Sequence, residues 1–221
     1  MNHRMLVAAT LCLAAAIPAG LSAQAPASTM SWDFGLAFGD IARVQSVGAV
    51  NTRTYFKSAR LSLGYGLRVA YSGGDEIRHY SDEGSGPDTL KIKPVGVLSG
   101  NVNVQVAWKF SDDIDMGANM DIIGLSYGPN RSGDLRSGTP GISSGATSAS
   151  PSWANLFAFG DDRGTLNSEI YLGYTINPNY KLKLGYMRGW TEYTTANVII
   201  RGERTFRTGN DMVFLGLRYT P

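Results

Sequence analysis

The residue types best able to do chemistry lie close together in the segment RHYSDEGSG, where His79, Ser81, Asp82 and Glu83 supply an imidazole, a hydroxyl and carboxylates. These are the groups of a serine hydrolase, in which a base takes the hydroxyl proton and an acid orients the base. His79 is the sole histidine after residue 23, so any imidazole chemistry in that part of the chain rests on it. A catalytic set of His79, Ser81 and Glu83 would be a nucleophile, base and orienter of that kind. Its spacing is loose, however, because the segment reads as a polar loop that does not hold three groups within hydrogen-bond reach. The leading reading is therefore a solvated loop and a non-enzymatic chain, with a hydrolase as the alternative.

Other catalytic patterns are weaker. Asp112, Asp113 and Asp115 hint at calcium, but the remaining ligands of a calcium loop do not follow at the required spacing, and a tight turn accounts for them. No glycine-rich phosphate loop, zinc spacing or heptad is present. No metal or cofactor is expected. The 20 basic and 18 acidic residues give a formal net charge of +2, and no concentrated basic face points to nucleic acid.

Charged residues recur instead at alternate positions within apolar segments. Asp33, Arg60, Arg68, Lys109, Asp115, Asp121, Glu169, Lys181, Lys183 and Arg218 all fall on the polar or small face of a period-two pattern. Such alternation marks strands with two unlike faces. In 101–110 (NVNVQVAWKF), Val102, Val104, Val106 and Trp108 oppose Asn101, Asn103, Gln105 and Lys109. The segments 31–39, 59–71, 114–122, 166–176, 180–190 and a last one ending at Thr220 behave alike. In 114–122, Ile122 is grouped with Met120 on the apolar face. Leu182 and Leu184 are the apolar counterparts of Lys181 and Lys183. An eighth strand is expected in 41–50, with a turn at Asn51-Thr52-Arg53-Thr54; its alternation is the poorest.

The start of the chain reads as an address. Asn2-His3-Arg4 is followed by an apolar run from Met5 to Pro18 and by Leu21-Ser22-Ala23, the pattern of a cleaved secretory signal. Residues 24–221, which hold no cysteine, form one domain. Strands of about ten residues with one continuous apolar face suit a tilted membrane crossing. The fold class expected is all-β: a closed antiparallel transmembrane β-barrel of eight strands after a signal peptide at 1–23. In that barrel Val102, Val104, Val106, Trp108, Leu182 and Leu184 face lipid, while the charged set pairs inside as a network. Three long external loops are expected at 72–98, 128–163 and 191–211. In the middle loop Trp153, Phe157 and Phe159 would pack on the rim or contact a ligand. Arg188 breaks the apolar face and is expected to meet lipopolysaccharide phosphate.

The C-terminal MVFLGLRYTP is similar to the terminal strand signal read by barrel-assembly machinery, except that it ends in Pro221. The chain from about residue 30 resembles small outer-membrane β-barrel proteins of the OmpA transmembrane-domain, OmpX and OmpW type. MDIIGLSYG and RGTLNSEIYLGY resemble uncharacterised outer-membrane barrels of Bacteroidetes. The His-x-Ser fragment looks like one in lipid A deacylases, where it lies late in the chain and on a strand, and this likeness implies a lipid A or phospholipid hydrolase as the alternative activity. These resemblances imply a Gram-negative outer-membrane protein, monomeric, surrounded by lipid and lipopolysaccharide. Its role would be structural or surface interaction through the external loops; a small pore or a path for hydrophobic molecules is the alternative.

Overall fold

The computed structural model describes residues 28–40, 42–54, 60–74, 77–81, 89–92, 95–136, 145–158, 162–195 and 205–221. The signal segment lies outside them. Among the described residues thirteen strands join in one sheet, and there is no helix. Eight strands are long: β1 (Ser28–Phe38), β2 (Ala42–Thr54), β3 (Leu61–Gly74), β6 (Val95–Lys109), β7 (Ile114–Tyr127), β11 (Leu166–Asn177), β12 (Tyr180–Thr195) and β13 (Thr205–Tyr219). Five are short: β4 (Ile77–Ser81), β5 (Thr89–Ile92), β8 (Arg131–Arg136), β9 (Gly145–Pro151) and β10 (Ala154–Leu156).

Each long strand has two long antiparallel partners. β1 pairs with β2 and β13, β3 with β2 and β6, β7 with β6 and β11, and β12 with β11 and β13. The turns at one end are short. Ser111 Oγ accepts from the Ile114 amide at 3.1 Å, and Asn177 Oδ1 accepts from the Tyr180 amide at 3.0 Å. Both are side chains that stand in for a backbone acceptor, as such turn residues do.

Several expectations need correction. The poorly alternating 41–50 segment is part of β2, but Asn51 to Thr54 make no turn: they continue the strand, with Asn51 opposite Met30 and Tyr65. Backbone pairing on both sides decides this, whatever the local turn propensity. Strands lie within the described parts of the three segments expected as loops. β4 and β5 occupy 72–98, β8, β9 and β10 occupy 128–163, and β12 and β13 run on through 191–195 and 205–211. His79 and Ser81 accordingly lie in a strand, with His79 opposite Leu90.

The parity of β7 also changes. A register shift between Val102 and Asn103 sets Asn103 opposite Asp121 but Val102 opposite Ile123, leaving Ile122 as the extra residue of a bulge. Ile123, Leu125 and Tyr127 therefore take the exposed face, and Ile122 does not continue the row of Met120.

Above the long strands the short ones add a second cycle of pairings. β12 pairs with β9 through Tyr193 to Thr195, β9 with β8, β8 with β5, β5 with β4, and β4 with β13 at Phe206 and Arg207. Leu90, Ile92, Val97, Leu135, Ala149, Tyr193 and Phe206 fill it as a buried apolar cluster. The polar, glycine-rich sequence of β8 and β9 conceals this core because only Leu135 and Ala149 come from it.

Candidate functional site

Along the long strands whose side chains are described, one face is buried and the other exposed, and the polar residues are on the buried side. Trp32, Phe34, Leu36, Phe38, Val102, Val104, Trp108, Leu182 and Leu184 are exposed, at 39 to 58% of their accessible surface, while Val106 is half-buried. Between them along the same strands, Asn101, Asn103, Gln105, Asp121, Glu169 and Lys183 are each exposed by no more than 4%. For a chain in water this is inverted.

Two ionic clusters form the site. In the first, Arg68 of β3 donates from Nη2 to Asp121 of β7 at 2.6 Å, from Nε to the same carboxylate oxygen at 2.9 Å, and from Nη1 to Glu169 of β11. Its Nη2 also reaches the Asn167 carbonyl at 3.1 Å. The other oxygen of Asp121 accepts from Asn101 Nδ2 at 2.9 Å and from the Asn167 amide at 3.0 Å. Buried charges are tolerable when every oxygen finds a donor, and Asp121 meets that condition.

In the second cluster Asp33 of β1 accepts from Lys183 Nζ at 2.7 Å and from Arg218 Nε at 2.6 Å and Nη2 at 2.5 Å. Arg218 also donates to Gln105 Oε1 at 2.5 Å, and Gln105 Nε2 donates to the Tyr171 hydroxyl at 2.8 Å. Lys183 Nζ stands 4.5 Å from the centre of the Tyr171 ring, within cation–π range. Lys181 pairs with Asp115 lower on the same side.

Strands that are not ladder neighbours are joined here. Arg68 on β3 meets Glu169 on β11, and Arg218 on β13 meets Gln105 on β6, so the buried face wraps round until its own side chains touch across the middle. The interior so formed also takes Ala37, Ala70, Met187, Met212 and Phe214. Between the two clusters and the Asn177–Tyr180 turn, a cavity of about 340 Å³ opens at the end of the short turns.

Eight of the ten charged residues singled out by alternation meet in these clusters. Arg60 and Lys109 do not: Arg60 is exposed just before β3, and Lys109 sits at the turn, donating to Asp112 at 2.9 Å. The alternation put Tyr171, Asn119 and Asn167 on the polar face without giving them a part in the buried network, and it missed Asn155 altogether. The signal for Asn155 was a lone amide inside WANLFAF; its Nδ2 donates to Asn101 at 2.7 Å while its Oδ1 accepts from Ser126 Oγ and from the Thr165 amide, each at 2.8 Å. Trp153 is 73% exposed and Phe157 buried, while Phe159 lies outside the described residues. Glu83 also lies outside them, and for His79 and Ser81 the backbone alone is described. Arg188 lies on the same face as Tyr186 and Trp190, half-buried, with Nη1 donating to Asp211 at 3.1 Å and its guanidinium 5.9 Å from the Trp190 ring.

No family model matches the chain. No curated protein matches it either. Among solved structures the chain is similar to a major outer membrane protein from Thermus thermophilus (13% identity, 88% of this chain and 100% of that one, TM-score 0.41). It is similar to Neisserial surface protein A (11% identity, 90% and 100%, TM-score 0.32). It is also similar to the outer membrane protease OmpT from Escherichia coli (9% identity, 92% and 99%, TM-score 0.34).

Proposed function

We propose that this chain is an outer-membrane β-barrel protein of a Gram-negative bacterium, closed by eight long strands and plugged by its own charges, that serves as a structural or surface-interaction protein. The observation that carries the reading is the inverted burial: a continuous exposed band of Trp, Phe, Leu, Val and Tyr around a buried ionic interior. In hydrocarbon every backbone N–H and C=O must be paired, so the sheet can have no free edge. The pairing of β13 with both β12 and β1 supports such closure.

The two ionic clusters span the interior from β3 to β11 and from β13 to β6 and β1, which supports an obstructed lumen over a conducting pore. The second cycle of strands would stand outside the membrane as a rigid β-platform, not as three loose loops. With lipid and lipopolysaccharide around it, Arg188 belongs at headgroup level beside Trp190. The assembly machinery would recognise the final strand.

Heat-modifiable migration on a gel tests the barrel; extraction from membranes without detergent would refute it. Planar-bilayer recording tests the plug, and stable single-channel steps would overturn it. Lipid A mass spectrometry of cells expressing the wild type and His79→Ala separates out the hydrolase: a modified lipid A that His79→Ala abolishes would replace the present reading.

A further inference from the structure

Arg60 and Lys109, the two charged residues of the alternating set that stay outside the buried clusters, line one cavity. The cavity of about 340 Å³ at the short-turn end is lined by Arg60, Lys109, Lys181 and Arg218 against Asp112 and Asp115. Asp115 is engaged by Lys181. Asp112 is solvated and holds Lys109 only through an exposed contact between neighbours along the turn, the kind of pair that contributes little and exchanges readily. Among the described residues Arg60 makes no ion pair at contact distance, and Asp112 is the carboxylate near enough to feel its charge. Arg218 forms part of the floor, oriented by Asp33 and Gln105, and the clusters above it close the inner end.

The result is a blind pit with cations in excess, walled by a low-dielectric barrel that concentrates their field at its mouth. Thr29, Ser31, Ser62, Asn177 and Asn179 add polar groups around the rim. A structural plug explains Arg218 and Lys181 but leaves Arg60 and Lys109 without a task.

We propose that this pit is a binding site for a small anion carrying carboxylate or phosphate groups, seated between Arg60 and Lys109 at the rim and Arg218 at the floor. The pit lies at the end of the sheet opposite the β-platform proposed above to stand outside the membrane; the binding itself does not depend on that orientation.

Isothermal titration of the full barrel in zwitterionic micelles, with succinate and inorganic phosphate as separate probes, tests it. At low salt one or both probes bind saturably at one site per chain, and a Debye length shortened by added salt weakens the binding. The better probe identifies the ligand chemistry as carboxylate or phosphate. Arg60→Ala combined with Lys109→Ala lowers the affinity at least tenfold, whereas Arg136→Ala on β8 leaves it unchanged. Absence of saturable binding with both probes, or equal affinity in the double variant, overturns the site. Both substitutions are at exposed positions, and heat-modifiable migration of each variant reports separately whether the barrel itself has formed.

Discussion

At Arg68 a single guanidinium answers two carboxylates, and it is 4% exposed. Removing it would leave Asp121 and Glu169 facing one another without a counter-charge in a medium that solvates neither. Truncating one partner of a buried ionic set costs about 3–5 kcal/mol. Arg68→Leu is therefore expected to lower the unfolding free energy by that amount, read from urea titrations of the barrel in lipid vesicles. Adding Asp121→Asn and Glu169→Gln should recover a large part of the loss, because the orphaned charges go with the cation. A different ionisable residue governs the outer platform. Burial pushes the Tyr193 hydroxyl up to about 12 from 10.0. The folded state thus holds the phenolic proton more tightly than the unfolded chain does. Its contribution to stability is whole below pH 10 and is lost as pH rises through the folded value near 12. Loosening of the β4–β5–β8–β9 platform across that window is the expected outcome, followed by phenolate absorbance together with amide exchange at Leu90 and Leu135.

Among the strands, alternation sets the facing of each residue until pairing overrides it. In β6 the two faces can be separated by experiment. Val104→Arg places a cation on the exposed apolar face and should cost about 2–4 kcal/mol near the middle of the membrane, blocking assembly in a vesicle-folding assay, whereas Asn103→Ala should assemble. Equal behaviour of the two would remove the inside-out orientation. The short strand β10 depends on one side chain. Asn155 ties it inward to Asn101, Ser126 and Thr165, while the Phe157 amide donates to the Ile122 carbonyl at 2.8 Å. Asn155→Ala should speed hydrogen exchange at Leu156 and Phe157 and leave β11 and β12 protected. Here the sequence was readable in part. Long strands with unbroken alternation, such as 101–110, stood out at once. β2 did not, because its place is set by ladders to β1 and β3. The bulge at Ile122 was invisible too, since one inserted residue changes the facing of all that follows without leaving a compositional mark.

For the whole molecule, the interior decides what can pass. The Arg68–Asp121–Glu169 and Lys183–Asp33–Arg218 clusters reach across the middle, so a planar bilayer holding this barrel should show no stable conductance. Arg68→Gly combined with Glu169→Gly removes one charge of each sign and leaves Asp121 its donors from Asn101 and Asn167. This is the variant expected to open a leak if folding survives, and its migration on a gel reports that survival. At the upper end the platform turns residues that look suited to flexible loops into paired strands.

The sequence by itself determined that the chain alternates, which residues share a face, and that charges accompany glycines on one face and aromatics the other. Those are local properties, set by the two-residue repeat of an extended backbone. Only the tertiary structure decided which charges meet. Arg68 and Glu169 are 101 residues apart, and Arg218 and Asp33 are 185 apart; their pairing follows from the order of strands around the sheet and the curl that brings buried faces together. The same curl left Arg60 and Lys109 outside the plug. NVNVQVAWKF could therefore announce two faces, while the place of Lys109 in the lining of the cavity at the short-turn end depended on the strands and turns that come to stand beside it.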